Sequence, residues 1–94
     1  YSASKGAVDQ ITKSLAIQYA DDGIRVNAVA PGWIDTPLVG ALPEDMVDDI
    51  IKRTPMDRLG KPEEIGKVVA FFSSPAASFV TGTVLPIDGA YSIT

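Results

Sequence analysis

The chain has 94 residues, enough for one small domain and too few for two, with ordinary soluble composition at 46% apolar and 21% charged residues. Twelve acidic against eight basic side chains leave a net charge of −4 with no basic run, which argues against nucleic acid as a partner; no apolar run is long enough to span a membrane. Cysteine and histidine are both absent, so disulfides, thiolate metal sites and imidazole catalysis are excluded, and any acid–base chemistry rests on Tyr, Lys, Asp or Glu.

Residues 1–23, "YSASKGAVDQITKSLAIQYADDG", read as a helix stopped by Gly23 in a left-handed conformation. Ala7, Ile11 and Leu15 share one face and Val8, Thr12 and Tyr19 the adjacent one, predicting a wide apolar stripe. No capping residue precedes Tyr1, and we expect the chain to be one piece of a longer protein. Residues 24–32, "IRVNAVAPG", follow as a strand. Ile24, Val26, Ala28 and Ala30 fall on one face and Val29 on the other, as in the interior of a parallel sheet. The Pro- and Gly-rich stretch 33–43 reads as a loop. Pro43 with Glu44 and Asp45 opens a short helix whose apolar side is Met46, Val47, Ile50 and Ile51, and which breaks at Thr54-Pro55. Pro62 with Glu63 and Glu64 opens another, carrying Ile65, Val68, Val69 and Phe72 at i, i+3, i+4 and i+7, closed by Ser74-Pro75. A last strand, "TVLPID", ends at Asp88-Gly89. The order helix, strand, helix, helix, strand is α/β. Two strands are too few to complete a sheet whose strand is apolar on both faces, so we expect one edge of a larger domain.

Two places carry candidate chemistry. Tyr1 and Lys5, four apart on a helix, share a face with Cβ atoms roughly 5–6 Å apart. An ammonium favours the phenolate and makes the phenol a tunable proton donor and acceptor without histidine, although an aromatic beside a solvated lysine has the same pattern. The second place is "NAVAPGWIDTP". A Pro-Gly turn at the carboxyl end of a parallel strand lies where open α/β sheets bind ligands; Gly32 permits close backbone approach and Thr36 offers a hydroxyl. A tight turn with a capping threonine accounts for the same residues.

Together, Tyr1-Ser-Ala-Ser-Lys5, "IRVNAVAPGWIDT" and "GKPEEIGKVVAFFSSPAASFVTGTVLPIDGA" resemble the C-terminal part of a short-chain dehydrogenase/reductase, in family order and spacing over essentially the whole chain. The resemblance implies the C-terminal part of a Rossmann-like, doubly wound parallel sheet, with residues 1–94 a portion of one NAD(P)-binding domain. It implies that Tyr1 is the catalytic tyrosine, giving a proton to a carbonyl oxygen in reduction and taking it back in oxidation. Lys5 matches the lysine that holds the nicotinamide ribose and lowers the tyrosine pKa. Pro31 and Gly32 match the turn beside the nicotinamide, Ile34 a position whose backbone meets the carboxamide, and Thr36 a hydroxyl that contacts the carboxamide or pyrophosphate. Trp33 either walls the substrate pocket or packs beneath the following helix. The segment 38–58 corresponds to a mobile lid, whose Asp45, Asp48 and Asp49 we read as an outer helix face and not a metal site. Asn27 is given a structural hydrogen-bonding role.

The implied protein is a cytoplasmic homo-oligomer, dimer or tetramer, that uses NAD or NADP on a small alcohol or carbonyl substrate, in the style of a 3-oxoacyl reductase or a sugar or polyol dehydrogenase. Phe71, Phe72 and Phe79 are its candidate buried aromatic interface. The family's glycine-rich phosphate loop, cofactor discriminator, catalytic serine and asparagine lie upstream of Tyr1 in family order, so this stretch by itself is expected to be inactive. The opposing reading is a family-fold binding or structural subunit that keeps the tyrosine without turnover.

Overall fold

The structure, a computed structural model, describes residues 2–94; Tyr1 and every expectation placed on it lie outside the described residues. The elements run in the order α1 (Ser2–Tyr19), β1 (Ala28–Pro31), α2 (Pro37–Gly40), α3 (Glu44–Arg53), α4 (Pro62–Ser73) and β2 (Val84–Ile87), with 3-10 turns at Ala20–Asp22, Pro75–Ala77 and Tyr91–Ile93. β1 and β2 pair side by side, the Ala28 N–H donating to Thr83 O at 2.8 Å and the Gly32 N–H to Ile87 O at 3.0 Å. Both registers advance together, so the pair is parallel, and the class is α/β as the element order predicts. The chain divides into two compact units, one running through Val29 together with Val69–Leu85, the other formed by Ala30–Val68 and Pro86–Thr94.

In the first unit, α1 continues into the Ala20–Asp22 turn and stops at Gly23, whose φ of 72° is the left-handed conformation expected there. The buried face of α1 overlaps the expected stripe only at Thr12 and Tyr19. Thr12 and Ala16 are buried and Lys5, Asp9 and Tyr19 half-buried, whereas Ala7, Val8, Ile11 and Leu15 are exposed. Ala16 on this face packs near Gly82, where an added Cβ would meet the Ala16 Cβ at an ordinary contact distance of 3.4 Å. The Thr12 hydroxyl is satisfied within the helix by donating to Val8 O at 2.7 Å.

The strand expected over 24–32 is confined to Ala28–Pro31. Upstream, loop and side-chain groups occupy the backbone. The Val26 N–H donates to Thr81 Oγ1 and Val26 O accepts from the Gly82 N–H. The Arg25 guanidinium donates to Phe72 O at 2.6 Å, and more weakly to Val80 O and Ser74 O, serving the orphan carbonyls where a helix ends. Asn27 takes the structural role expected of it, donating to Val80 O at 2.9 Å and accepting from the Thr83 N–H at 3.1 Å. In the single chain Phe72 is half-buried, Phe71 is exposed and Phe79 fully so, at 101%.

In the second unit, the stretch expected as pure loop contains α2, because Thr36 and Pro37 are an N-cap and first-turn proline in sequence. α3 runs between Pro43 and Thr54 as expected, with Ile50 buried. Its buried C-cap, Thr54, donates its hydroxyl to Ile50 O at 2.9 Å. Asp45, Asp48 and Asp49 lie on the exposed side, Asp49 pairing with Arg53 at 3.1 Å. No helix among the described residues is long and apolar enough to cross a membrane.

Candidate functional site

In the first unit, Lys5 lies half-buried on the face of α1 that carries Asp9, Thr12 and Ala16. With Gly6, Asp9 and Val84 it lines a hollow of about 340 Å³. Asp9, one turn on, is the carboxylate placed to neutralise it, but Asp9 is held by Lys13 at 2.8 Å. Among the described residues Lys5 has no ion pair, so its charge is available to a ligand.

The remaining predicted site residues follow one another in the second unit, where β1 ends. Pro31 closes the strand, and the Gly32 N–H is committed to Ile87 O. Space around Gly32 is taken by protein, since a Cβ there would lie 2.6 Å from Asp88 Cβ and 2.8 Å from Asp88 Cα. The chain then makes an isolated parallel bridge between Ile34 and Gly60. The Gly60 N–H donates to Trp33 O at 3.0 Å and the Asp35 N–H to Gly60 O at 2.8 Å. In that pattern Trp33 and Asp35 direct their bonding groups to Gly60, and the N–H and C=O of Ile34 point to the opposite edge. Among the described residues neither Ile34 group has a protein partner. A donor and an acceptor stand side by side on a strand edge.

Thr36 N-caps α2, its Oγ1 accepting from the Val39 N–H at 3.4 Å. That bond is long, and the hydroxyl proton stays free to be donated. Trp33 is 40% exposed and, with Ile65 and Ile87, lines a cavity of about 110 Å³.

Residues that the sequence reading left unassigned complete this surface. Arg58 grips Glu64 with two parallel bonds, Nη1 to Oε1 at 2.8 Å and Nη2 to Oε2 at 3.0 Å. Glu64 Oε1 also accepts the Lys61 N–H at 2.9 Å, the backward reach of a third-position glutamate at a helix start. The Arg58 hydrogen bonds, then the Lys61 amide, pull the Glu64 carboxyl down to about 2, and Glu64 raises Arg58 in return. The capping half of this arrangement was readable from Pro62-Glu63-Glu64; the Arg58 grip was not, because no local rule places an arginine six residues ahead.

A nicotinamide carboxamide presents one N–H donor group and one carbonyl acceptor. Within the second unit, the unpartnered C=O and N–H of Ile34 match it, and the Thr36 hydroxyl has a proton to give a carboxamide or phosphate oxygen. These residues fit such a cofactor.

Known proteins carry the same pattern. The chain matches the family described as Enoyl-(Acyl carrier protein) reductase over residues 1–92. It is 52% identical over 92 residues to cis-4-hydroxycyclohexanecarboxylate dehydrogenase of Sinomonas cyclohexanicum, covering 98% of this chain and 37% of that protein. It is 45% identical over 95 residues to galactitol 2-dehydrogenase (L-tagatose-forming) of Cereibacter sphaeroides, covering 99% of this chain and 36% of the relative. The crystal structure of 3-oxoacyl-(acyl-carrier protein) reductase from Brucella melitensis superposes with a TM-score of 0.90 at 41% identity, over 97% of this chain and 34% of that one. The chain thus spans about a third of the length of the proteins it matches.

Proposed function

The chain belongs to the short-chain dehydrogenase/reductase family, and from that premise we propose that the longer protein is an NAD- or NADP-dependent oxidoreductase acting on a small alcohol or ketone. Residues 1–94 are on this reading one stretch of a single dinucleotide-binding domain. The observation that carries the reading is the open donor–acceptor pair on the backbone of Ile34, which a nicotinamide carboxamide completes. When bound, that cofactor supplies or accepts the hydride.

The chain's own residues hold and move the proton. Tyr1 gives its hydroxyl proton to the carbonyl oxygen in reduction and takes the alcohol proton in oxidation. Lys5, which among the described residues has no carboxylate of its own, holds the ribose hydroxyls and stabilises the phenolate form between the two steps. Pro31 and Gly32 form the turn under the nicotinamide, and Thr36 donates to the carboxamide or a pyrophosphate oxygen. Trp33, which with Ile65 and Ile87 lines a cavity, walls the substrate pocket on this reading. The substrate class follows the names of the relatives, which speak of a hydroxycyclohexane acid, a sugar alcohol and an oxoacyl chain; each offers a hydroxyl or oxo carbon. The exposed Phe71 and Phe79 support assembly into a homo-oligomer. We place the enzyme in the cytoplasm.

Tyr1→Phe in the full-length protein tests the assignment. It removes one hydroxyl, so turnover falls at least roughly a hundredfold while the dissociation constant for the nicotinamide dinucleotide stays put. Near-normal turnover in the variant rules out proton transfer by Tyr1. A wild type that binds the dinucleotide and turns over none of the alcohols or ketones named by its relatives supports the non-catalytic subunit instead.

A further inference from the structure

We propose that the Arg58–Glu64 pair is a positioning clasp for the nicotinamide end of the cofactor site, holding Gly60 so that the peptide groups of Ile34 stay aimed at the carboxamide. The inference rests on the reading that Ile34 meets the carboxamide, and adds residues that touch neither cofactor nor substrate.

Gly60 lies in the short segment between Arg58 and Lys61, and both ends of that segment are tied to one carboxylate. Arg58 reaches Glu64 through two bonds of 2.8 and 3.0 Å, and the Lys61 N–H through one of 2.9 Å to Oε1. Arg58 Nη1 also donates to Leu59 O at 3.1 Å, bracing the residue next to Gly60. Gly60 in turn makes both bonds that orient Ile34, from its N–H to Trp33 O and from its C=O to the Asp35 N–H. An isolated bridge of two bonds is a weak ladder, so its geometry depends on what holds its ends. The Ile34 side chain lies close against Gly60 as well: a Cβ there would come within 2.8 Å of Ile34 Cδ1, the movable end of that side chain. Loosening the clasp lets Gly60 shift, and the Ile34 donor and acceptor turn with it.

The pair has another property that separates positioning from plain support. Both side chains are substantially exposed, at 44% and 38%. Exposed ion pairs add little to folding stability, so the sensitive quantity is the aim of the edge and not the melting temperature.

The test is equilibrium binding to the full-length protein of two ligands, the reduced nicotinamide dinucleotide and ADP-ribose, which lacks the nicotinamide ring, with the melting temperature recorded beside them. Glu64→Ala should weaken the dinucleotide roughly two- to thirtyfold and leave ADP-ribose unchanged. Arg58→Lys, which keeps the charge but loses the fork, should fall between wild type and Glu64→Ala. Should Glu64→Ala fail to fold, Arg58→Gln, which leaves the Lys61 cap in place, carries the same paired expectation. Unchanged dinucleotide affinity in these variants overturns the clasp, and so does an equal loss for both ligands, which marks general loosening. A wild type that binds the dinucleotide no more tightly than ADP-ribose overturns the placement of the nicotinamide at Ile34, and the clasp with it.

Discussion

A side-chain carbon built on Gly32 would sit 2.6 Å from Asp88 Cβ and 2.8 Å from Asp88 Cα, distances that real contacts do not reach. Asp88 cannot yield, since its carboxylate accepts the Ala90 N–H at 3.1 Å and the Ser92 N–H at 3.0 Å, pinning the turn after β2. The backbone opposite Gly32 is therefore fixed, and Gly32→Ala is an overpacking change. We expect it to destabilise the full-length protein by about 1–3 kcal/mol, read as a fall in denaturation midpoint at unchanged slope. An unchanged midpoint would show that Asp88 moves aside. The sequence offers two readings of this glycine, close approach to a ligand and a tight turn, and the contact with Asp88 adds a third demand. Pro-Gly at a strand end signals a turn, but the residue that presses on the glycine is 56 positions away, and nothing local announces it. Thr36 shows the opposite case, since its local capping role was readable in Thr36-Pro37 and is present.

At the scale of elements, α4 shows how charge and geometry combine at a helix start. Glu64 accepts from Arg58 and from the Lys61 N–H, and those bonds lower its carboxyl from the ordinary 4.5 to about 2. A depressed carboxyl stabilises the fold above its unfolded value and loses that contribution as the pH falls through its folded value. Because the Glu64 and Arg58 side chains are both exposed, the stability difference between wild type and Glu64→Gln in the full-length protein should be small, complete above about pH 4.5 and lost as the pH falls through about 2. A difference that is flat across that window would mean that the carboxylate does not hold the helix start. α3 and α4 were legible to within a residue or two because their ends are set by local chemistry, namely Pro43 and Pro62 at the starts and Thr54 and Ser74-Pro75 at the stops. The length of β1 and the inward face of α1 were not. Residues 24–27 have strand-like side chains, but Thr81, Gly82 and the carbonyls near the end of α4 claim their polar groups. Periodicity on α1 marks Val8, Ile11 and Leu15, while Ala16, packed near Gly82, is buried.

At the scale of the whole molecule, this chain covers about a third of the length of the proteins it matches, and several of its large apolar side chains are exposed. Ile11 and Ile17 on α1 are 57% and 80% exposed, on a helix whose buried face is made of Thr12 and Ala16. The family was legible from three blocks of sequence because each carries a backbone or side-chain feature with a job. The coupling between Ile34 and Gly60 was not, since a bridge across 26 positions leaves no periodic trace. On the proposed reading the Lys5 charge, which among the described residues has no carboxylate of its own, lets Tyr1 exchange a proton near neutral pH. The pH dependence of alcohol oxidation by the full-length protein at saturating cofactor and substrate, for wild type and for Lys5→Met, tests this. Turnover should rise with pH through an inflection, and the inflection should move to higher pH when the ammonium is removed. An inflection that stays in place in Lys5→Met would contradict it.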